Sequence, residues 1–192
     1  MSPTIDLRHK RAPVSGRSPS FIDALHADGP ASDRADKMGL YGWLIGAWAM
    51  DVQVHLPNDA EYRGQGEIHF GWVLEGRAIQ DVWITPSRGQ RDAPIAAAAN
   101  FYGSTFRIYD PALDAWHIFW LDPVKQFYSR MIGRADGKDI EQLTVNETPQ
   151  RRWRFTDIKP NSFHWTADVD ERKDGAVQWH RHVEFLARRI AG

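Results

Sequence analysis

Residues 177–185 read VQWHRHVEF, with Gln178, His180, His182 and Glu184 alternating against Val177, Trp179, Arg181, Val183 and Phe185. In an extended chain every second side chain shares a face. His180 and His182 therefore point the same way, and a third donor from a neighbouring strand, such as His164 or His117, would complete a metal site. Nothing in the spacing fixes that third donor. The polar set reads instead as a water-facing surface, with Trp179, Val183 and Phe185 turned inward and no metal expected.

Residues 77–85 pose a sharper problem. Arg77, Ile79, Asp81 and Trp83 occupy one face and Ala78, Gln80, Val82 and Ile84 the other, so whichever face is interior carries a polar group. An isolated charge in an apolar interior is costly and must be paired. Either Asp81 pairs with Arg77 or Arg130, or an interior Arg77 or Arg130 holds the anionic end of a ligand through bidentate hydrogen bonds. His117, Tyr102 and Asp81 are the groups available for acid–base catalysis in a closed interior. The chain has no Cys, no Gly-x-Ser-x-Gly elbow, no phosphate-binding glycine loop and no dinucleotide fingerprint, which leaves no basis for assigning a reaction.

Composition narrows the classes further. Lys and Arg number 24 against 25 Asp and Glu, so no net field draws the chain to nucleic acid or an anionic membrane, and neither is expected as a partner. At 192 residues it is long enough for one well-buried core and short for two. Nine Trp, nine Phe and five Tyr supply aromatic surface for a β core or an apolar pocket. No apolar run of signal-peptide or membrane-spanning length is present, and a cytoplasmic protein is expected.

These side chains must be positioned by strands. After Gly46, the residues Trp48, Met50, Val52 and Val54 fall on alternate positions, and Ile68, Phe70, Trp72 and Leu74 repeat the rhythm beyond a turn at Pro57-Asn58-Asp59. Further strands are expected over 77–85, 100–109, 115–121, 126–134, 140–146, 153–157, 162–169 and 177–188, mostly separated by short breaker-rich turns such as Asp110-Pro111 and Asp136-Gly137. About ten strands at intervals of about ten residues indicate an all-β domain. Short turns between successive strands favour an up-and-down antiparallel barrel over a sandwich, because a long meander loses its exposed edges by closing. Residues 21–25 predict a short helix. With Ser32 or Asp33 as N-cap, Met38, Tyr41 and Leu44 predict a second one that caps a barrel end. The barrel domain is expected over residues 32–192, preceded by a flexible arm over 1–31. The polar stretch 87–94 is expected as a loop at the mouth.

Gly46-Ala47-Trp48 after a short helix, answered by Arg188 and Arg189 at the end of the last strand, resembles the calycin superfamily of lipocalins and fatty-acid-binding proteins. The resemblance implies that Trp48 closes the barrel base and that a C-terminal Arg lies across its indole, joining first and last strands. The order of Leu44-Ile45-Gly46-Ala47-Trp48, Leu74-Glu75-Gly76-Arg77-Ala78-Ile79-Gln80, Tyr109-Asp110-Pro111 and Trp116-His117-Ile118-Phe119-Trp120 is similar to the DUF1579 family over most of residues 40–189. The run HVEFLARRI from His182 is similar in spacing to the end of nitrobindins, ten-stranded barrels that hold haem. That likeness implies His182 as axial ligand, although His180 beside it departs from the pattern.

The expected function is binding of a small apolar or amphipathic molecule inside the barrel. Trp72, Trp83, Tyr102, Phe106, Trp120 and Trp165 are expected to line the pocket, with Arg77 or Arg130 at a polar end and Asp81, His117, His180 and His182 as further candidates. The alternatives are a haem protein using His182, a small barrel enzyme (isomerase, cyclase or hydrolase) using an interior His, and an interaction module. Residues 115–121 are apolar on both faces apart from His117, which predicts cover on both sides and hence a homodimer.

Overall fold

The computed structural model describes residues 20–56, 60–92, 97–172 and 174–191. The Pro57-Asn58-Asp59 turn, most of the expected arm (residues 1–19) and part of the 87–94 loop lie outside the described residues. The chain opens with α1 (Phe21–Leu25), β1 (His26–Ala27) and, after a single turn at Ser32–Arg34, α2 (Ala35–Gly42). Ten longer strands follow: β2 (Gly46–His55), β3 (Glu61–Val73), β4 (Ala78–Thr85), β5 (Phe101–Asp110), β6 (Ala115–Asp122), β7 (Phe127–Asp136), β8 (Asp139–Thr144), β9 (Arg151–Lys159), β10 (Ser162–Asp170) and β11 (Trp179–Arg189). Each pairs antiparallel with the next, and β11 pairs back onto β2 through Val183↔Val54 to Arg189↔Trp48. The sheet is a closed, up-and-down antiparallel barrel, with β1 adding a short pairing to β3.

The two-residue period produces this directly. Trp48, Met50, Val52 and Val54 of β2 are all buried, as are Trp116, Ile118 and Trp120 of β6, while Ala49, Asp51, Phe119 and Leu121 face out. One strand departs from the expected length. β3 starts at Glu61 because its first half pairs with β2 as far as His55↔Glu61. That half carries no apolar alternation, since a Cβ on its inward-facing Gly66 would fall 2.7 Å from Ile84 O and 2.8 Å from Met50 Cε. Neighbours already fill the space a side chain would take.

Residues 20–31 dock on the barrel. Ser20 and Asp23 form a reciprocal capping box on α1, Leu74 N–H donates to Leu25 O, and Ala31 N–H donates to Gly76 O. α2 lies across one end, burying Met38 and Tyr41, with Leu44 following it inward. Neither Ser32 nor Asp33 caps it. Asp33 instead accepts both hydrogen bonds from Arg77 Nη1, at 2.9 and 3.1 Å. No described helix is long and apolar enough to cross a membrane.

Candidate functional site

The two ends of the barrel differ. The α2 end is plugged by aromatic packing: Tyr41 meets Trp116 edge-on at 5.0 Å, and Trp43 meets Phe163 at 5.3 Å and Trp48 at 6.2 Å. The seam between first and last strands lies here. Arg189 stacks 4.1 Å from the Trp48 ring and donates to Ile45 O and Trp43 O at 2.7 Å each, while Trp48 Nε1 donates to Leu44 O. Gly46 has φ +119°, and a Cβ there would sit 3.0 Å from Arg189 Nη1, so the Gly lets the guanidinium reach the carbonyls. The closure role inferred for Gly46, Trp48 and Arg189 has this geometry. Arg188 does not share it: alternation turns it outward, where it pairs with Asp51 on the surface.

Above the plug, the interior charge expected on the third strand is present with a different partner. Asp81, 1 % exposed, accepts from Arg107 Nη1 at 2.6 Å and from Thr105 N–H at 3.0 Å. Arg107 lies under the rings of Tyr41 and Phe70, at 5.4 Å from each. The expected Arg77–Asp81 and Arg130–Asp81 pairs are corrected by this. Arg77 precedes the strand, in the turn, and bonds Asp33 outside; Arg130 is an outward residue of β7 beside His117. Arg107, two strand positions from Tyr109 and in register with Ile79 beside Asp81, carried a legible signal, an Arg among Phe101, Thr105 and Tyr109 on one face of the fourth expected strand. Tyr41 O–H, accepting from Gln142 at 2.8 Å, is pushed up to about 12 by burial and is neutral.

The opposite end is open and holds a cavity of about 240 Å³. Its wall is aromatic: Trp83 stacks on Phe101 at 4.9 Å and meets Trp165 at 5.0 Å and Trp120 at 5.5 Å, while Trp153 closes the ring against Trp165 and Trp120. Gly103 makes room for this cluster, since a Cβ there would meet Trp120 Cη2 at 2.3 Å. Charged groups sit around the apolar wall: Asp122, Lys125, Arg151 and Asp168, with His182 beside them. Arg151 donates to Glu147 at 2.6 Å, and Asp168 accepts from Arg181 at 2.5 Å and Arg152 at 3.0 Å, so both are committed to protein partners. Burial lowers the Lys125 amine to about 8, and partial desolvation lowers the imidazole of His182, an exposed residue at the rim, below its ordinary value, with the nearby cations Lys125 and Arg151 acting in the same direction.

Four of the ligand-facing candidates, Trp83, Trp120, Trp165 and His182, line this cavity. Tyr102 and Phe106 are outward residues of β5, and Trp72 packs against Gly42 at the plugged end. His117 is on the outer face, bonded to Asp110 Oδ2 at 2.9 Å and near Arg130, so His117, Tyr102 and Asp81 do not converge. His180 is exposed at the start of β11. A register shift between β10 and β11, with Ala167↔Val183 followed by Asp168↔Arg181, leaves His182 as the extra residue. That bulge breaks the i, i+2 relation between His180 and His182. It also turns Trp179 onto Arg152, 4.3 Å from its ring, and not into the core. No cluster of metal-ligand type exists among the described residues. Phe101, Asp122, Lys125 and Trp153 were missed as site residues. Asp122 and Lys125 lie in the Asp-Pro-Val-Lys turn, whose proximity to the cavity depends on barrel closure.

No family model matches the chain, and no curated protein matches its sequence. Solved structures do. The chain is similar to Rv2717c from M. tuberculosis, with a TM-score of 0.53 and 12 % identity over 81 % of this chain and 98 % of that one. It is likewise similar to the S-type phycobiliprotein lyase CPES from Guillardia theta, with a TM-score of 0.53 and 12 % identity over 85 % of this chain and 99 % of the lyase. At that identity the likeness establishes the fold.

Proposed function

We propose that this protein binds a compact aromatic or amphipathic molecule in the open end of its barrel, between the indoles of Trp83, Trp120, Trp153 and Trp165. The observation that carries the reading is the contrast between the ends: one filled by α2, the other a cavity of about 240 Å³ walled by four indoles and Phe101. Pockets for drug-sized ligands span ~300–1,000 Å³, so this one suits a smaller occupant. The barrel it shares with a phycobiliprotein lyase is consistent with small-molecule binding, and the DUF1579 likeness rests on motif order alone. Native mass spectrometry of the purified protein, with tryptophan-fluorescence titration by small aromatics, tests the proposal. A retained small mass or saturable quenching in the micromolar range supports it; neither, for any aromatic tried, overturns it.

His182 favours a second reading, a haem held at the mouth through its imidazole. The residues fit this in part: the imidazole lines the cavity and its lowered basicity keeps it neutral, as a ligand must be. The cavity itself is small for a tetrapyrrole, much of which would project into solvent. Hemin titration decides between the two, a Soret band shift that His182→Ala abolishes favouring haem.

We also propose self-association through the outer face of β6 and β7. Phe119, Leu121 and Tyr128 are 36, 47 and 77 % exposed there, and Leu121 and Tyr128 are directly in register.

A further inference from the structure

The cavity wall contains one fully buried side-chain oxygen that no donor among the described residues reaches. Asp122 ends β6 and is 2 % exposed. Its Oδ1 accepts the backbone N–H groups of Val124 and Lys125, at 3.0 and 3.2 Å, which fixes the turn into β7. Its Oδ2 is buried and no donor among the described residues reaches it. Leaving a buried carboxylate oxygen unbonded costs the chain its full desolvation, ~1–3 kcal/mol or more for a charged group. A donor placed in the cavity would recover that cost.

Lys125 supplies the complement. Its Nζ donates to Ala98 O at 2.7 Å and lies 3.2 Å from the centre of the Phe101 ring, turned toward these groups. An ammonium has three donors, so two are left for a ligand. Asp168 is paired through both its oxygens and Arg151 bonds Glu147 through Nη1, which leaves Asp122 Oδ2 as the cavity carboxylate oxygen without a donor among the described residues. A cationic ligand would meet the Lys125 ammonium, whereas a neutral N–H or O–H would not. The indole walls favour a flat conjugated ring, and the volume limits it to about two fused rings.

Resting on the reading of this cavity as a ligand site, we propose that its occupant is a planar bicyclic aromatic acid of the indole type. Its ring N–H or O–H donates to Asp122 Oδ2, and its carboxylate accepts from Lys125 Nζ. No bond is made or broken. Specificity comes from the donor, because an analogue without it leaves Asp122 unpaired.

Isothermal titration of the full chain with three probes tests this: indole-3-acetate, 1-naphthaleneacetate, which lacks the N–H, and 3-methylindole, which lacks the acid. The expected result is that indole-3-acetate binds at least ~10-fold tighter than either analogue. Asp122→Asn keeps the shape and the acceptor for the turn but presents an amide N–H to the ligand. It should abolish the advantage over 1-naphthaleneacetate while that probe still binds, and the retained binding shows that the variant is folded. Lys125→Met should abolish the advantage over 3-methylindole, and it decides alone if Asp122→Asn does not fold. Equal binding of all three probes, or an indole preference that survives both substitutions, overturns the inference and leaves the aromatic cavity standing as a site. Binding of none of the three overturns both.

Discussion

At the scale of single residues, charge burial gives the firmest expectations. Asp81 and Arg107 are 1 % and 2 % exposed and form an ion pair at 2.6 Å. Replacing Asp81 with Ala strands a guanidinium among aromatic rings and should cost about 3–5 kcal/mol, read as a fall in the urea midpoint. Asp81→Asn, which keeps an acceptor, should cost less. Lys125 makes a different prediction. Burial depresses its amine from the ordinary 10.5 to about 8. Between those values the unfolded chain holds a proton that the folded chain has released, so this residue's contribution to stability rises with pH across the window. Ligand binding runs the opposite way, because a carboxylate needs the protonated amine. Of the groups facing Lys125, Asp122 lies in the same turn, Arg151 and Asp168 are committed to partners, and His182 is already lowered. The affinity for indole-3-acetate should therefore fall as pH rises through about 8 or slightly above, since the bound anion holds the proton on. In Lys125→Met the dependence should vanish; a profile identical to wild type would exclude Lys125 as the anion's partner.

At the scale of elements, the seam between β2 and β11 can be separated into a structural and a surface arginine. Arg189 makes two hydrogen bonds to the carbonyls of Trp43 and Ile45 and a cation–π contact with Trp48. Charge-assisted bonds contribute ~1.5–3 kcal/mol each, so losing two of them in Arg189→Met should cost about 3–6 kcal/mol in equilibrium unfolding. Arg188→Met removes an exposed pair with Asp51, 59 % and 46 % accessible, and should change stability by less than about 1 kcal/mol. Equal effects of the two would mean that the guanidinium does not close the barrel. The resemblance to calycins implied Trp48 and the Arg188-Arg189 pair as closing elements. Which arginine faces inward was not legible, because a one-residue shift of register exchanges the two faces and only the pairing Arg189↔Trp48 settles it.

At the scale of the whole molecule, closure leaves two contrasting apolar surfaces, an aromatic interior open at one end and exposed apolar side chains on the outer face of β6 and β7. Phe119, Leu121 and Tyr128 should be covered by the same face of a second copy. Sedimentation equilibrium should give twice the chain mass at micromolar concentration, and Leu121→Asp should return a folded single chain whose thermal midpoint no longer depends on protein concentration. A single-chain mass for the unmodified protein would remove the dimer while leaving the cavity untouched.

The alternation of apolar residues by itself determined the class and the ten barrel strands and grouped the indoles onto common faces, because a period of two marks extended strands and a closed meander hides its edges. Trp83, Trp120 and Trp165 were expected in a pocket, and the closed sheet is what turns their faces inward. The tertiary structure alone decided that Asp81 meets Arg107 and that the β10–β11 bulge sets His182 at the mouth. It alone brought Asp122 and Lys125, a turn apart in sequence, against Trp83, Trp153 and Trp165 from distant strands. Strand pairing and bulges fix which side chains from separate strands share a space, and no spacing within one strand carries that information.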